Sequence, residues 1–450
     1  MRLLWGLLVL FFFSHLHAEE PKIIVVGAGL SGLTAAYRLE QLTGIPVTVY
    51  EARNRPGGRV WTYYWGDSYE ELGGKFLSDG VETRLIHNLI HELGLEIQSY
   101  DVHLNQRKYL WDGKVKSFVS AFKDGPIVDK EAFYEIAKES ASFGEFLDHF
   151  FKDKEELRYI AECWARNYEG NDSHTLDVGF VDHFWDTYNR NREREYLVES
   201  DPYPYEIDHV KGGNSKLPQK LASSIQGKVH YSSPLKKLSR NKKGKIVLEF
   251  EDKVVEADFV LLTIPCPVFK DISIEQGLIP DLETISSLHY GTNSKILFPI
   301  QRYDSVPLDF IVLEDMLVWP NFDGTILTLY SGGIAGRFNY AQVPSIVDSK
   351  LSQLNTHFTS LQKTGPSFAI NWSQEEYSKG SYSCWGVDQY DVFDKKGEYF
   401  GETVREVFRP INGQIFFAGE HTSLYSPGFM EGAVESGERA ARMILKAIRE

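Results

Sequence analysis

The chain has 450 residues, 42% hydrophobic and 25% charged, with a formal net charge of −15. That balance excludes a disordered chain, and the negative charge argues against nucleic acid as a main partner. Three cysteines, Cys163, Cys266 and Cys384, are spaced too widely for a CxxC metal site or a disulfide framework.

The first segment places Arg2 before an apolar run from Leu3 to Phe13, with small and polar residues following to Ala18. This layout predicts a signal peptide over residues 1–18, cleaved after Ala18, and a secreted, periplasmic or extracytoplasmic protein. The run falls short of the roughly 20 apolar residues of a membrane span, so a membrane is expected only if the segment stays uncleaved. Two sequons, at Asn171 and Asn371, matter only in a host that glycosylates.

Ile23 to Val26 is a β-branched run suited to a buried parallel strand. Gly27, Gly29 and Gly32 complete G-x-G-x-x-G, Leu33 to Leu42 carries a helical pattern, and Val47 to Tyr50 reads as the next strand, ending at Glu51. In such a unit the first glycine makes the turn, the second admits a pyrophosphate and the third lets helix and strand pack. The helix start offers free N–H groups to phosphate, flanked by Leu30 and Ser31, and Glu51 can accept from a ribose diol. These elements together predict a dinucleotide-binding βαβ unit.

Next come Arg55-Pro56-Gly57-Gly58-Arg59 and Glu71-Leu72-Gly73-Gly74. Helices are predicted over Glu82–Leu93, Lys130–Ser140, Phe143–Phe151 and Lys154–Tyr168, so residues 81–209 read as mostly helical. His87 and His91 are spaced i, i+4, but no HExxH or third ligand accompanies them, so no metal is expected. Lys211-Gly212-Gly213-Asn214-Ser215 leads into a short helix. A meander is predicted over Val229–Ser239, Lys245–Phe250 and Lys253–Pro265, with Asn241–Gly244 as a solvated hairpin tip. Gly291 to Phe298 carries Lys295 into an apolar run, and Trp372 to Tyr382 holds Gly380-Ser381-Tyr382. Ile415–Phe417 reads as a strand running into Gly419-Glu420. The small residues Gly432, Ala433, Ser436, Gly437, Ala440 and Ala441 then recur at helical spacing and allow close backbone approach.

These motifs resemble those of the flavin-containing amine oxidases, which include monoamine, polyamine and L-amino acid oxidases and flavin histone demethylases. The resemblance implies an α/β fold: a discontinuous Rossmann-like FAD-binding domain (residues 19–80, 210–290 and 401–450) interlocked with an α+β substrate domain (81–209 and 291–400). It implies FAD contacts from Gly27, Gly29, Leu30, Ser31, Gly32, Glu51, Ala52, Arg53, Gly57, Gly58, Arg59, Leu72, Gly73 and Gly74. Further contacts are implied for Leu235, Trp372, Gly419, Glu420, Gly428, Phe429, Met430 and Ala433. Arg59 is expected by the pyrophosphate, Leu235 near the adenine, and Glu420 with its helix at the ribityl–phosphate region. Lys295 is expected to face flavin N5 through a water, and Tyr382 and Phe429 to flank the substrate amine.

Monoamine oxidases carry the covalent flavin cysteine where this chain has Ser381, so noncovalent FAD is expected. The implied reaction is hydride transfer from a primary or secondary amine to the flavin, imine hydrolysis, and reoxidation by O2 to H2O2. L-amino acid oxidases carry an Arg where this chain has Phe76 beside Lys75. That departure places amino acid oxidation behind amine oxidation, as an alternative beside a flavin desaturase and a catalytically silent FAD-binding protein.

Overall fold

The strand Ile23–Val26 is buried on both faces because it lies at the centre of a five-stranded parallel sheet. Thr48–Tyr50 and then Val229–His230 lie on one side of it, and Phe259–Leu262 and then Ile415–Phe417 on the other. The chain therefore builds outward in one direction, returns, and builds outward in the other. Such a reversal leaves a crevice at the carboxyl ends of the strands, where α/β sheets bind ligands. The computed structural model describes residues 20–77, 84–99, 107–117, 121–193, 208–304 and 310–450. The predicted signal segment lies outside the described residues. No helix among the described residues is long and apolar enough to cross a membrane.

The glycine turn runs into a helix, Leu30–Thr43, which ends on Gly44 in the left-handed conformation (φ 73°). A second helix, Met430–Arg449, packs along the first. A Cβ on Gly437 would stand 2.4 Å from the Ser31 carbonyl oxygen and 3.0 Å from Thr34 Cβ, so only glycine permits this contact. Around it Leu33, Ala36, Val434, Ala440 and Ile444 form one core with Val25 and Leu261 of the sheet.

The predicted meander divides. Val229–His230 joins the parallel sheet, whereas Lys237–Arg240 enters a separate four-stranded sheet with Ile246–Glu249, Val254–Ala257 and Ser273–Ile274. The chain breaks at Ser232 (φ 50°) and Pro234, which has no N–H for a ladder. The third predicted strand divides likewise at Asp258, whose carboxylate accepts from the Lys22 N–H. Lys242 and Lys243 are exposed at the hairpin tip.

The middle of the chain is less helical than predicted. The strands Ile97–Ser99, Lys108–Trp111 and Lys114–Ser117 interrupt it. Lys108–Trp111 pairs in parallel with Ile311–Leu313 and so extends an eight-stranded sheet that also contains Ser294–Arg302, Met316–Pro320 and Ile326–Ser331. The helices Arg84–Glu92, Lys130–Lys138, Phe143–Phe150 and Glu155–Trp164 fall where the pattern placed them. Val181–Glu193 adds a further helix. The helix expected to continue to Tyr168 changes at Ala165–Glu169 into a π-helical turn. Aromatic residues fill this helical layer: Phe133, Phe146, Phe150, Phe184 and Tyr188 form edge-to-face pairs there.

All three cysteines are buried thiols. Neither sequon presents its amide: Asn171 (1% exposed) donates to the Tyr290 carbonyl, and Asn371 (0%) to the Phe338 carbonyl.

Gly437→Ala is expected to lower unfolding free energy by about 1–3 kcal/mol, because its methyl would meet a backbone oxygen that cannot move independently. Urea denaturation checks this. An unchanged midpoint would mean that the helices separate without cost.

Candidate active site

A cavity of about 910 Å³ opens at the carboxyl ends of the parallel strands and continues beneath the eight-stranded sheet. Of the residues expected to contact FAD or the substrate, all line it except Gly32. Gly32 lies beneath the turn, where a Cβ would stand 2.1 Å from the Gly27 carbonyl oxygen and 3.1 Å from Val25 Cγ1.

The diphosphate end is built from backbone. Gly27 has φ 109°, and a Cβ there would meet Thr263 Oγ1 at 2.5 Å. Gly29 caps the helix Leu30–Thr43 without any side-chain hydrogen bond, and nothing lies within 4 Å of where its Cβ would be. Leu30 and Ser31 line the cavity just beyond it. The helix Met430–Arg449 also starts at the cavity without a side-chain cap, at Phe429, with Met430 and Ala433 on the wall. Two helix starts with free N–H groups can hold an anionic bridge such as a diphosphate.

Glu51 sits at the end of its strand. Its carboxylate accepts from the Ala28 N–H at 2.7 Å and the Arg53 N–H at 2.8 Å, which ties the glycine turn to the second strand. Each oxygen keeps a lone pair for a donor in the cavity. The Gly57 N–H donates to the Ala28 carbonyl at 2.8 Å, bringing Gly57 and Gly58 against the same turn. Ala52 and Leu235 line this end. Arg53 donates to Ser378 at 2.9 Å, and Arg55 lies over Trp61 at 4.2 Å.

Arg59 and Glu420 meet each other. Arg59 Nη1 donates to Glu420 Oε1 at 2.9 Å and to the Ser381 carbonyl at 2.8 Å, and its guanidinium lies over the Tyr290 ring. Glu420 also accepts from Ser383 Oγ and from the Gly428 N–H, both at 2.6 Å. Its carboxyl is held below the ordinary range against burial, chiefly by the Arg59 charge. One carboxylate thus joins the Arg59 loop, the Ser381–Ser383 segment and the approach to the last helix. Gly419 precedes it, and its N–H donates to Ser436 Oγ at 3.0 Å.

At the opposite end, Leu72, Gly73 and Gly74 run along the wall. The Leu72 carbonyl accepts from Trp372 Nε1 at 3.1 Å, and Asn214 donates to the Gly74 and Lys75 carbonyls. Lys295 lies on an interior strand, paired with Ile326–Ser331 on one side and Phe368–Asn371 on the other. It is buried, and donates to the Glu71 and Gly73 carbonyls at 2.9 and 2.8 Å. An ammonium has three donors, so one remains for the cavity. Burial lowers its pKa to about 8, against the pull of Glu70 and Glu71. Glu71 is raised to about 7, also by burial. Lys75 is paired with both oxygens of Glu70 at 2.6 Å.

The Tyr382 hydroxyl donates to the Tyr168 carbonyl at 2.9 Å, which anchors the ring against the π-helical turn. Burial drives its pKa well above the ordinary value. Phe429 is 51% exposed and presents its ring at the start of the last helix. Ser381 Oγ donates to Asn293 Oδ1 at 2.6 Å. Cys384 is buried and accepts from Asn171, with its thiol pushed up by burial. Away from the cavity, His87 bonds Asp208 at 3.0 Å.

The motifs did not reveal Trp319, Tyr330, Phe310, Arg107 or Asn167, all of which line the cavity. Trp319 and Tyr330 each present a ring to the Lys295 ammonium at 5.8 Å. They sit on the short apolar strands Met316–Pro320 and Ile326–Ser331, which carry no motif.

A parallel sheet with uncapped helix starts over one crevice is the doubly wound α/β arrangement. The profile of the family described as flavin containing amine oxidoreductase matches residues 30–445. An L-amino-acid oxidase of Gloydius halys is 28% identical, over 95% of this chain and 90% of its own length. The lysine-specific histone demethylase 1 homolog 1 of Arabidopsis thaliana is 28% identical over 96% of this chain and 53% of its own length. Among solved structures, the cyclohexylamine oxidase of Brevibacterium oxydans superposes with a TM-score of 0.75 at 18% identity, over 96% of this chain and all of that one. Putrescine oxidase gives 0.72 at 18% identity, over 94% and 99%. The chain belongs to the flavin containing amine oxidoreductase family. It is an oxidoreductase of the kind that acts on amines or amino acids, and its family implies a flavin cofactor.

Glu420→Gln is expected to cost about 1–3 kcal/mol of stability, because it leaves the partly buried Arg59 charge without its carboxylate. In the double variant with Arg59→Met the cost should fall well below the sum of the two single losses. Strict additivity in urea denaturation would contradict the pairing.

Proposed function

We propose that this protein is a secreted, noncovalent FAD-dependent amine oxidase. The observation that carries the proposal is the single cavity that gathers both uncapped helix starts, Lys295, Tyr382 and Phe429. Its size and donors fit FAD: backbone N–H groups for the diphosphate, Glu51 for a ribose, and an apolar wall at Leu72, Trp372 and Met430 for a ring system. Ser381 offers no thiol for a covalent link. Residues 19–80, 210–290 and 401–450 would hold the cofactor, and 81–209 and 291–400 would shape the substrate end. Export would rest on residues 1–18.

Bound there, FAD would supply two-electron oxidation of the carbon that bears the amine, with O2 as the terminal acceptor giving H2O2 and the imine hydrolysing in water. The chain supplies position and electrostatics. Tyr382, held by Tyr168, and Phe429 offer ring faces between which an uncharged amine is guided and water is excluded. Lys295 is held by two carbonyls, so its third N–H orients a water beside the reacting centre. Glu420 holds Arg59 and the start of the last helix in place, and no general base is required of the protein. The L-amino-acid oxidases among the relatives keep amino acids as the second reading of the substrate.

A panel of primary and secondary amines and L-amino acids, with peroxide detection and anaerobic bleaching of the flavin absorbance, tests the proposal. Bleaching by at least one amine is expected. None across the panel would favour a silent flavin-binding protein. Lys295→Met should slow reoxidation of the reduced enzyme about 100-fold. In the unsubstituted enzyme the helpful species is the ammonium, so reoxidation should fall as pH rises through about 8. A pH profile identical in the variant would remove Lys295 from the reaction.

A further inference from the structure

One cation on the cavity wall has no hydrogen-bond acceptor for its Nε among the described residues, and no part in the chemistry above. Arg107 stands just before the strand Lys108–Trp111 and lines the cavity. Its guanidinium lies over the Phe310 ring at 4.9 Å, and that ring is 5.3 Å from the ring of Trp319. Trp319 in turn receives Lys75 at 5.4 Å and Lys295 at 5.8 Å. One run of aromatic rings therefore carries three cations.

Two of the three are provided for. Lys75 is neutralised by Glu70, and Lys295 donates to two carbonyls. Arg107 is not: its Nε is shielded from solvent, and no described residue accepts a hydrogen bond from it. A shielded donor left unpaired costs about 1–3 kcal/mol, and more where it carries charge. Contact with the face of one phenylalanine replaces only part of that. An anion beside it would satisfy that donor.

We propose that Arg107 recognises a carboxylate on the substrate, set apart from the carbon that is oxidised by an apolar spacer. A guanidinium matches a carboxylate with two parallel N–H donors, a geometry that a lysine cannot reproduce. Two rings, Phe310 and Trp319, stand between Arg107 and Lys295, so the acid lies away from the reacting end, and the rings offer an apolar surface to the spacer. The substrate class is then an amine with a remote acidic group. This role rests on the amine-oxidising reading of the cavity.

The test uses the oxidised holoenzyme and unreactive probes. Butyrate, hexanoate and octanoate, each with its matched primary amide, are titrated by calorimetry. The acids should bind more tightly than the amides. That preference should fall about 10- to 100-fold in Arg107→Met, as expected for loss of a charge-assisted pair. Arg107→Lys, which keeps the charge without the fork, should lie between. Equal affinity for acid and amide in the unsubstituted protein, or an equal loss for both in Arg107→Met, would overturn the proposal. A chain-length series of amino acids, compared by kcat/KM, locates the acid. Preference for the acid on the reacting carbon would overturn the spacer. If no amine is turned over, the amine-oxidising reading fails, while the calorimetry still decides whether Arg107 binds carboxylates.

Discussion

The arrangement depends on a contact between two backbones. Gly437, near the end of the chain, lies against the carbonyl of Ser31, near its beginning. Any side chain at Gly437 would push the two helices apart. Their close approach brings both helix starts, Gly29 and Phe429, to one crevice without a side-chain cap at either. Free N–H groups at two helix ends form a positive pole that a diphosphate satisfies. The sheet reverses its direction of growth at Ile23–Val26 and places the last strand, Ile415–Phe417, two positions from the first.

Charge inside the crevice is then managed by pairing. Glu420 neutralises Arg59 and also holds Ser383 and Gly428, so one carboxylate fixes three separated segments around the cavity. Glu70 does the same for Lys75. Lys295 is left with carbonyl acceptors only, and burial brings its pKa to about 8, close to the working range of an enzyme. Arg107 has less than any of these, which is why it points to a ligand.

How much of this was legible in the sequence depends on the range of the interactions. The turn at Gly27–Gly32, the strand ending in Glu51 and the Arg55–Arg59 loop are local, and the glycines record where backbones must approach. Lys295, Tyr382 and Phe429 were marked by family resemblance, and the structure brings them to one cavity without itself fixing their roles. Glu420 was expected to face a ligand, yet both of its oxygens are bonded within the protein; partners at Arg59 and Gly428 are invisible to a local pattern. Arg107, Phe310 and Trp319 were not legible at all. Their strands meet through the parallel pairing of Lys108–Trp111 with Ile311–Leu313, segments far apart in the chain. The meander divided because Ser232 and Pro234 break a run whose apolar pattern alone continues. Many of the chain's aromatic residues fill a helical core away from the glycine turn.

The central claim is that the two helix starts and Glu51 hold a whole dinucleotide, with no bond to Ser381. Acid precipitation of the purified protein, followed by chromatography of the supernatant, tests it most directly. The account predicts intact FAD in the supernatant, one per chain, and a colourless pellet. FMN or a nicotinamide dinucleotide in the supernatant, or flavin retained with the precipitated protein, would contradict it.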